Sequence, residues 1–265
     1  MEEDKNYCIL CGKPFVIGET GNELGFCTKC QKDKDFPYDL DAYYKAYDEG
    51  KEVFKGFDTM SRGILDKYLI RECKKCPLYK TKKNYVLGEG SKNPEVMFVG
   101  EAPGKTEDKE GKPFVGKAGK SFRKMLEEVG LDKEKIYITN ILKCRPPQNR
   151  NPKDSEITAC LDNLKKEIKE LEPKIIVCLG RIATNTIFNI TGLTGHLYSN
   201  RPMKDLHGKI FQGVLTIISD GTICKKILVI PLYHPAVSLY KPEKRAELKA
   251  DIEKLANSIY YNKLQ

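Results

Sequence analysis

Four short runs, Val96–Val99, Ile136–Thr139, Lys174–Leu179 and Ile227–Pro231, are apolar at almost every position instead of every second one. A strand of that kind needs cover on both faces, which a parallel sheet packed between helices provides. The intervening segments supply the cover. Gly119–Val129 sets Phe122, Met125, Leu126 and Val129 on one side of a helix, and Ser155–Leu171, Arg181–Phe188 and Pro242–Tyr260 read as further helices, with Asp154 as the N-cap of the Ser155 helix. The alternation predicts an α/β chain, a three-layer αβα sandwich around a parallel four-stranded sheet. Thr191–Lys226 departs from this rhythm and reads as a β-hairpin excursion. His196 and His207 fall in it without an acidic or cysteine partner at ligand spacing, so both read as surface or turn histidines.

At 265 residues the chain is long for one small domain, and a core with an appendage is expected. Cys8, Cys11, Cys27 and Cys30 form two CxxC pairs separated by fifteen residues, the spacing of paired zinc knuckles. This predicts a zinc-ribbon-like domain over 1–36 that holds Zn2+. Residues 37–57, with Tyr43, Tyr44, Tyr47 and Phe54 near helical spacing, read as a linker helix. The main domain then covers 58–265 and opens with a helix over Asp58–Glu72.

Ten cysteines, behind an acidic, polar N-terminus MEEDKNYC that lacks the character of a signal peptide, point to an intracellular protein that uses thiols for metal. No apolar run approaches the ~20 residues of a membrane span. The net charge of +9 favours a polyanionic partner without demanding one, since a lysine-rich surface laced with ion pairs has the same balance. Cys73 and Cys76 form a third CxxC, with Cys144 and Cys160 further along. Spacing leaves zinc and iron–sulfur both open for this set. Cys178 and Cys224 lie in apolar surroundings and read as buried structural thiols.

Three of the four strands deliver polar groups just past their carboxyl ends, the edge where open α/β sheets carry their sites. After Val99 comes GEAPGKTEDKEGKPFVGKAG, dense in glycine and proline, with Glu101, Glu107, Asp108, Glu110 and one aromatic, Phe114. After Thr139 come Asn140 and a basic, proline-stiffened loop through Lys143, Arg145 and Arg150, and after Pro231 comes LYHP with His234. The lesser reading of the first loop, taken alone, is a solvated connector.

Taken together, GEAPG with the following ED and PFVG, then TN with KCRPPQNR, then YHPA, resemble the family 4 uracil-DNA glycosylases, the iron–sulfur branch of their superfamily. The resemblance runs from about Asp58 to the C-terminus. It implies a 4Fe-4S cluster on Cys73, Cys76, Cys144 and Cys160. It also implies a hydrolase that flips uracil out of single- or double-stranded DNA and cleaves its N-glycosidic bond, leaving an abasic site for base excision repair. In that family's arrangement Gly100 and Ala102 border the base, Phe114 stacks on it, and Glu107 stands beside its C5 edge, against thymine's methyl. Asn140 donates to uracil O4 and accepts from N3–H, where cytosine presents the reverse pattern. His234 bonds O2 as the base leaves as an anion.

Better-known superfamily members place an aspartate where this chain has Ala102. Either Glu101 takes over the support of the sugar cation or the attacking water, or stabilisation of the leaving group by His234 carries most of the work. Lys143, Arg145 and Arg150 are candidate phosphate contacts and Leu239 a candidate minor-groove wedge. The ribbon is a candidate docking module for a replication or repair protein. A rival reading is a non-catalytic iron–sulfur protein that binds damaged or single-stranded DNA or senses redox state; it predicts a decayed pocket. The covalently trapping branch of the superfamily differs in the middle of the first motif and carries an added basic loop with a histidine, neither of which is present here.

Overall fold

The computed structural model describes residues 73–193, 201–219 and 221–260, together with two short strands, β1 (Asn6–Tyr7) and β2 (Pro14–Phe15). The chain divides into two compact units, Met1–Cys73 and Lys74–Gln265. In the first, β1 and β2 pair antiparallel, with Asn6 opposite Phe15 and Tyr7 opposite Pro14. Cys8, Cys11, Cys27, Cys30, the helices expected over 37–57 and 58–72, His196 and the side chain of Cys224 lie outside the described residues.

The second unit is built on β3 (Glu89–Gly90), β4 (Val96–Gly100), β5 (Ile136–Asn140), β6 (Ile175–Leu179), β7 (Phe211–Ser219) and β8 (Gly221–Leu232). Its helices are α1 (Lys105–Glu110), α2 (Lys117–Glu128), α3 (Asp154–Leu171), α4 (Arg181–Ile190), α5 (Met203–Leu206) and α6 (Pro242–Tyr260). The strand order is β3-β5-β4-β6-β8-β7. This corrects the expected four-stranded parallel sheet. β5, β4, β6 and β8 do run parallel, but β3 and β7 add antiparallel edges. The excursion supplies one edge: β7 pairs with β8 from Phe211 opposite Val229 to Ser219 opposite Gly221, so the apolar run at Ile227 is the far half of a longer hairpin arm. β3, two residues long, is too short to leave a periodic pattern.

The pleat sends alternate residues to opposite faces. Met97, Val99, Tyr137, Ile176 and Cys178 join Leu164 and Ile168 of α3 and Ala183 and Ile187 of α4. Val96, Phe98, Ile136, Ile138 and Val177 join Phe122 and Met125 of α2 and Leu248 and Ile252 of α6. Both faces are thereby covered, the arrangement that all-apolar strands demand. Cys178 is fully buried as expected, and burial pushes its thiol up.

α3 begins one residue earlier than the sequence suggested. Its N-cap is Lys153, whose N–H donates to the Glu156 carboxylate at 2.9 Å. His207, at the end of α5, is a structural joint: its Nδ1 is 2.7 Å from Asp251 of α6 and its ring lies 4.4 Å from that of Tyr233. The acidic partner absent from its own neighbourhood comes from the last helix. Among the described residues no helix is long and apolar enough to cross a membrane.

Candidate active site

β4 and β5 end side by side, and Gly100 lies opposite Asn140 in the ladder. A Cβ on Gly100 would run into Asn140 Oδ1 and the Phe114 ring, so glycine is what admits both groups over the strand end. The two following loops stay joined, because Ile141 donates to Gly100 O at 2.9 Å and Leu142 to Glu101 O at 3.1 Å. Asn140 is 2% exposed.

Phe114 is held by unusual means. Its φ of 54° lies in the left-handed region, which costs a bulky residue energy unless neighbours enforce it. Arg123 of α2 does so, donating from Nε to Phe114 O at 3.1 Å and from Nη2 to Pro113 O at 2.9 Å. Gly119 lets the Phe114 backbone approach, since a Cβ there would strike it. Arg123 also pairs with Glu89 at 3.1 Å. Sequence reading missed Arg123; its one trace is Gly119, a residue that weakens a helix unless something needs the space.

The carboxylates of the first loop divide their work. Glu107 accepts from Val115 N–H at 3.1 Å and Gly116 N–H at 2.8 Å, closing the loop that carries Phe114. Asp108 is buried and accepts from the backbone N–H of Lys83 at 2.8 Å. Glu110 is exposed. Glu101 faces the cleft; burial raises its pKa above the ordinary 4.5, and Arg181 opposes the rise.

His234 follows β8 and caps the 3-10 turn Pro235–Leu239, with Ala236 N–H donating to its Nδ1 at 3.2 Å. That bond places the proton of the neutral ring on Nε2. Burial lowers the imidazole pKa below 6.5 and so favours the neutral form, while the Glu107 carboxylate pulls the other way. Gly180 permits the approach of β6 to this residue: its φ is 93°, and a Cβ there would stand 3.0 Å from that of His234.

A cleft of about 420 Å³ unites these groups, lined by Glu101, Ala102, Glu107, Phe114, Asn140 and His234 among others. Arg150 also lines it, held by a bidentate pair to Glu156 at 2.8 and 2.6 Å. Arg145 is half-buried and donates from Nε to Asn149 Oδ1 at 2.6 Å. Leu239 is 43% exposed and the adjacent Tyr240 82% exposed. Lys143 requires a correction: it is 1% exposed and paired with Glu167 at 2.6 Å, so it does not face a phosphate backbone. The basic loop looked uniformly solvent-facing in sequence because Glu167 lies on α3, far from the motif.

Cys144 and Cys160 are buried in one apolar cluster and Cys76 packs against it, while Cys73 is half-buried. Asn163 donates to Cys160 Sγ at 3.5 Å. Soft thiolate donors of this kind suit an iron–sulfur cluster or zinc. Among the described residues no three cysteine, histidine or acidic side chains are gathered as a ready metal site.

An open α/β sheet with a polar cleft at the carboxyl ends of its central strands defines a small-ligand site of a familiar class. Residues 87–256 match the model of the uracil DNA glycosylase superfamily. The chain is 45% identical over 186 residues to the type-4 uracil-DNA glycosylase of Archaeoglobus fulgidus, covering 70% of this chain and 87% of that protein. The type-4 enzyme of Saccharolobus solfataricus is 44% identical over 191 residues (72% and 83%), and that of Thermotoga maritima 35% over 192 residues (72% and 91%). The chain belongs to the type-4 uracil-DNA glycosylase family.

Proposed function

We propose that this protein excises uracil from single- or double-stranded DNA by hydrolysing the N-glycosidic bond, leaving an abasic site. The observation that carries the reading is convergence: Asn140, Phe114, His234 and Glu101, from three separate strand ends, line one cleft. The nucleotide is flipped from the stack, since its anomeric carbon is inaccessible within the duplex. Phe114 stacks on the base, and the Asn140 carboxamide pairs with O4 and N3–H. Glu107 lines the same cleft and would stand at the C5 edge, while its bonds to Val115 and Gly116 keep Phe114 in place.

As the glycosidic bond lengthens, negative charge grows on the base, and the Nε2–H of neutral His234 donates to O2. Glu101 supports the sugar cation or the attacking water across from the leaving base. Ala102 leaves that face open. Arg145 and Arg150 contact phosphates, and Leu239 enters the minor groove.

Cys73, Cys76, Cys144 and Cys160 would hold a 4Fe-4S cluster, whose contribution is to staple the loop after Asn140 to α3. Cys8, Cys11, Cys27 and Cys30 would hold Zn2+ in a ribbon over 1–36; the antiparallel pairing of β1 and β2 on either side of the first CxxC supports this. We place 37–57 as a linker helix and 58–265 as the glycosylase domain, in an intracellular protein whose ribbon docks a replication or repair partner.

The test is incubation with a uracil-containing oligonucleotide followed by alkali. Strand cleavage at the uracil position is expected. A covalent adduct, or DNA bound but left intact, overturns the reading.

A further inference from the structure

A lysine with 1% exposure must have its charge and its donors answered inside the protein. Lys143 Nζ has three acceptors: Glu167 Oε2 at 2.6 Å, Thr139 Oγ1 at 2.6 Å and the main-chain carbonyl of Asn140 at 2.8 Å. Thr139 donates to the same Glu167 oxygen at 2.9 Å, and the other Glu167 oxygen accepts from Gly88 N–H at 3.4 Å. The network therefore ties β5, α3 and the segment before β3 together at one point. That point is the last residue of β5. Thr139 and Asn140 project to opposite faces of the strand, so the ammonium lies on the α3 side while the Asn140 carboxamide lines the cleft. The group they share is the Asn140 peptide.

We propose that Lys143 is a positioning residue for base recognition: by gripping the Asn140 carbonyl it fixes the peptide from which the carboxamide projects, and so the angle at which that carboxamide meets the base. The inference rests on the uracil-reading role given to Asn140 above. Stability alone is a poor reason for such an arrangement. Replacing a buried ion pair by apolar side chains of similar volume is often neutral or stabilising, whereas removing one partner strands the other charge. This asymmetry separates positioning from packing.

The experiment compares wild type, Asn140→Ala and the double variant Lys143→Met with Glu167→Met, at matched metal content. Each is measured for thermal midpoint, DNA affinity, single-turnover excision of uracil and inhibition by free uracil. The double variant strands the Thr139 hydroxyl and the Asn140 carbonyl and is expected to melt below wild type. Assayed well below its own midpoint it should bind DNA equally, yet excise uracil about tenfold or more slowly and be inhibited by free uracil correspondingly more weakly. A folded double variant with wild-type rate and inhibition overturns the proposal while leaving the glycosylase reading intact. A wild type that excises no uracil overturns both. Glu167→Asp serves if the double variant does not fold: it keeps both charges but draws the ammonium off the Asn140 carbonyl, and a loss in the same two readouts is expected. Wild-type values in that variant overturn the proposal.

Discussion

The Phe114 ring stands 6.3 Å, centroid to centroid, from the imidazole of His234, tilted 36° to it. One residue comes from the loop after β4 and the other from the end of β8, so neither element alone makes the cleft. The aromatic that would hold the base and the donor that would receive its charge are fixed against each other by the fold.

Gly100 lies against the Phe114 ring and the Asn140 carboxamide. Gly100→Ala should drive a methyl into Asn140 Oδ1 and the Phe114 ring. Uracil excision should fall by at least roughly a hundredfold, since misplacement of about 1 Å at a reacting centre can cost that much. DNA binding at the phosphates should persist. Wild-type activity in this variant would mean that the base does not sit over the β4 end.

His234→Ala should lower the single-turnover rate by roughly 10²-fold or more, the scale of removing one donor from a developing anion, with little change in DNA affinity. A large loss of affinity at constant rate would instead make His234 a DNA contact.

The pH profile follows from two opposed shifts. Burial lowers the His234 pKa below 6.5 and raises that of Glu101 above 4.5. On the proposed mechanism the competent state has His234 neutral and Glu101 ionised, so protonation of either group builds the acid limb. Glu101→Gln should cost much of the rate and leave only the His234 limb, below pH 6.5. The stability signs differ. The His234 contribution is present above 6.5 and lost as pH falls through its lowered pKa. That of Glu101 is present below 4.5 and lost as pH rises through its raised one. Glu101→Gln should accordingly melt higher than wild type at neutral pH; a lower midpoint would show that the carboxylate is stabilised in the cleft.

Asn140→Asp should weaken uracil excision and admit cytosine, because a carboxylate accepts from cytosine N4 where the amide donor could not. Parallel assays on uracil and cytosine oligonucleotides measure both effects. An unchanged uracil rate would place base recognition elsewhere.

Cys144→Ser should abolish bound iron and the broad visible absorption of a thiolate-held cluster. Metal analysis that finds zinc in place of iron in the wild-type protein would rule the cluster out.

Glu101, Asn140 and His234 were legible in sequence because each stands at or just past a strand end, and strand ends are marked by the change from apolar runs to glycine, proline and charge. Glu107 and Phe114 lie further along the loop that opens at Gly100. What escaped depends on distant partners. Lys143 reads as a surface charge until Glu167, 24 residues on, is seen beside it. His207 lacks an acidic neighbour until Asp251, 44 residues away, closes on its ring. Arg123 carries no motif, because its task is to hold two carbonyls and carbonyls have no sequence. The width of the sheet was underestimated for a related reason: an edge strand of two residues, β3, has no period to detect.

The strand order β5-β4-β6-β8 means that the last parallel strand in the chain completes the cleft. A ribosome-bound chain that has emerged only through β6 holds Asn140 and Phe114 but not His234. Any truncation after β6 and upstream of Leu232 therefore removes an imidazole from the cleft while leaving its aromatic and its carboxamide in the chain.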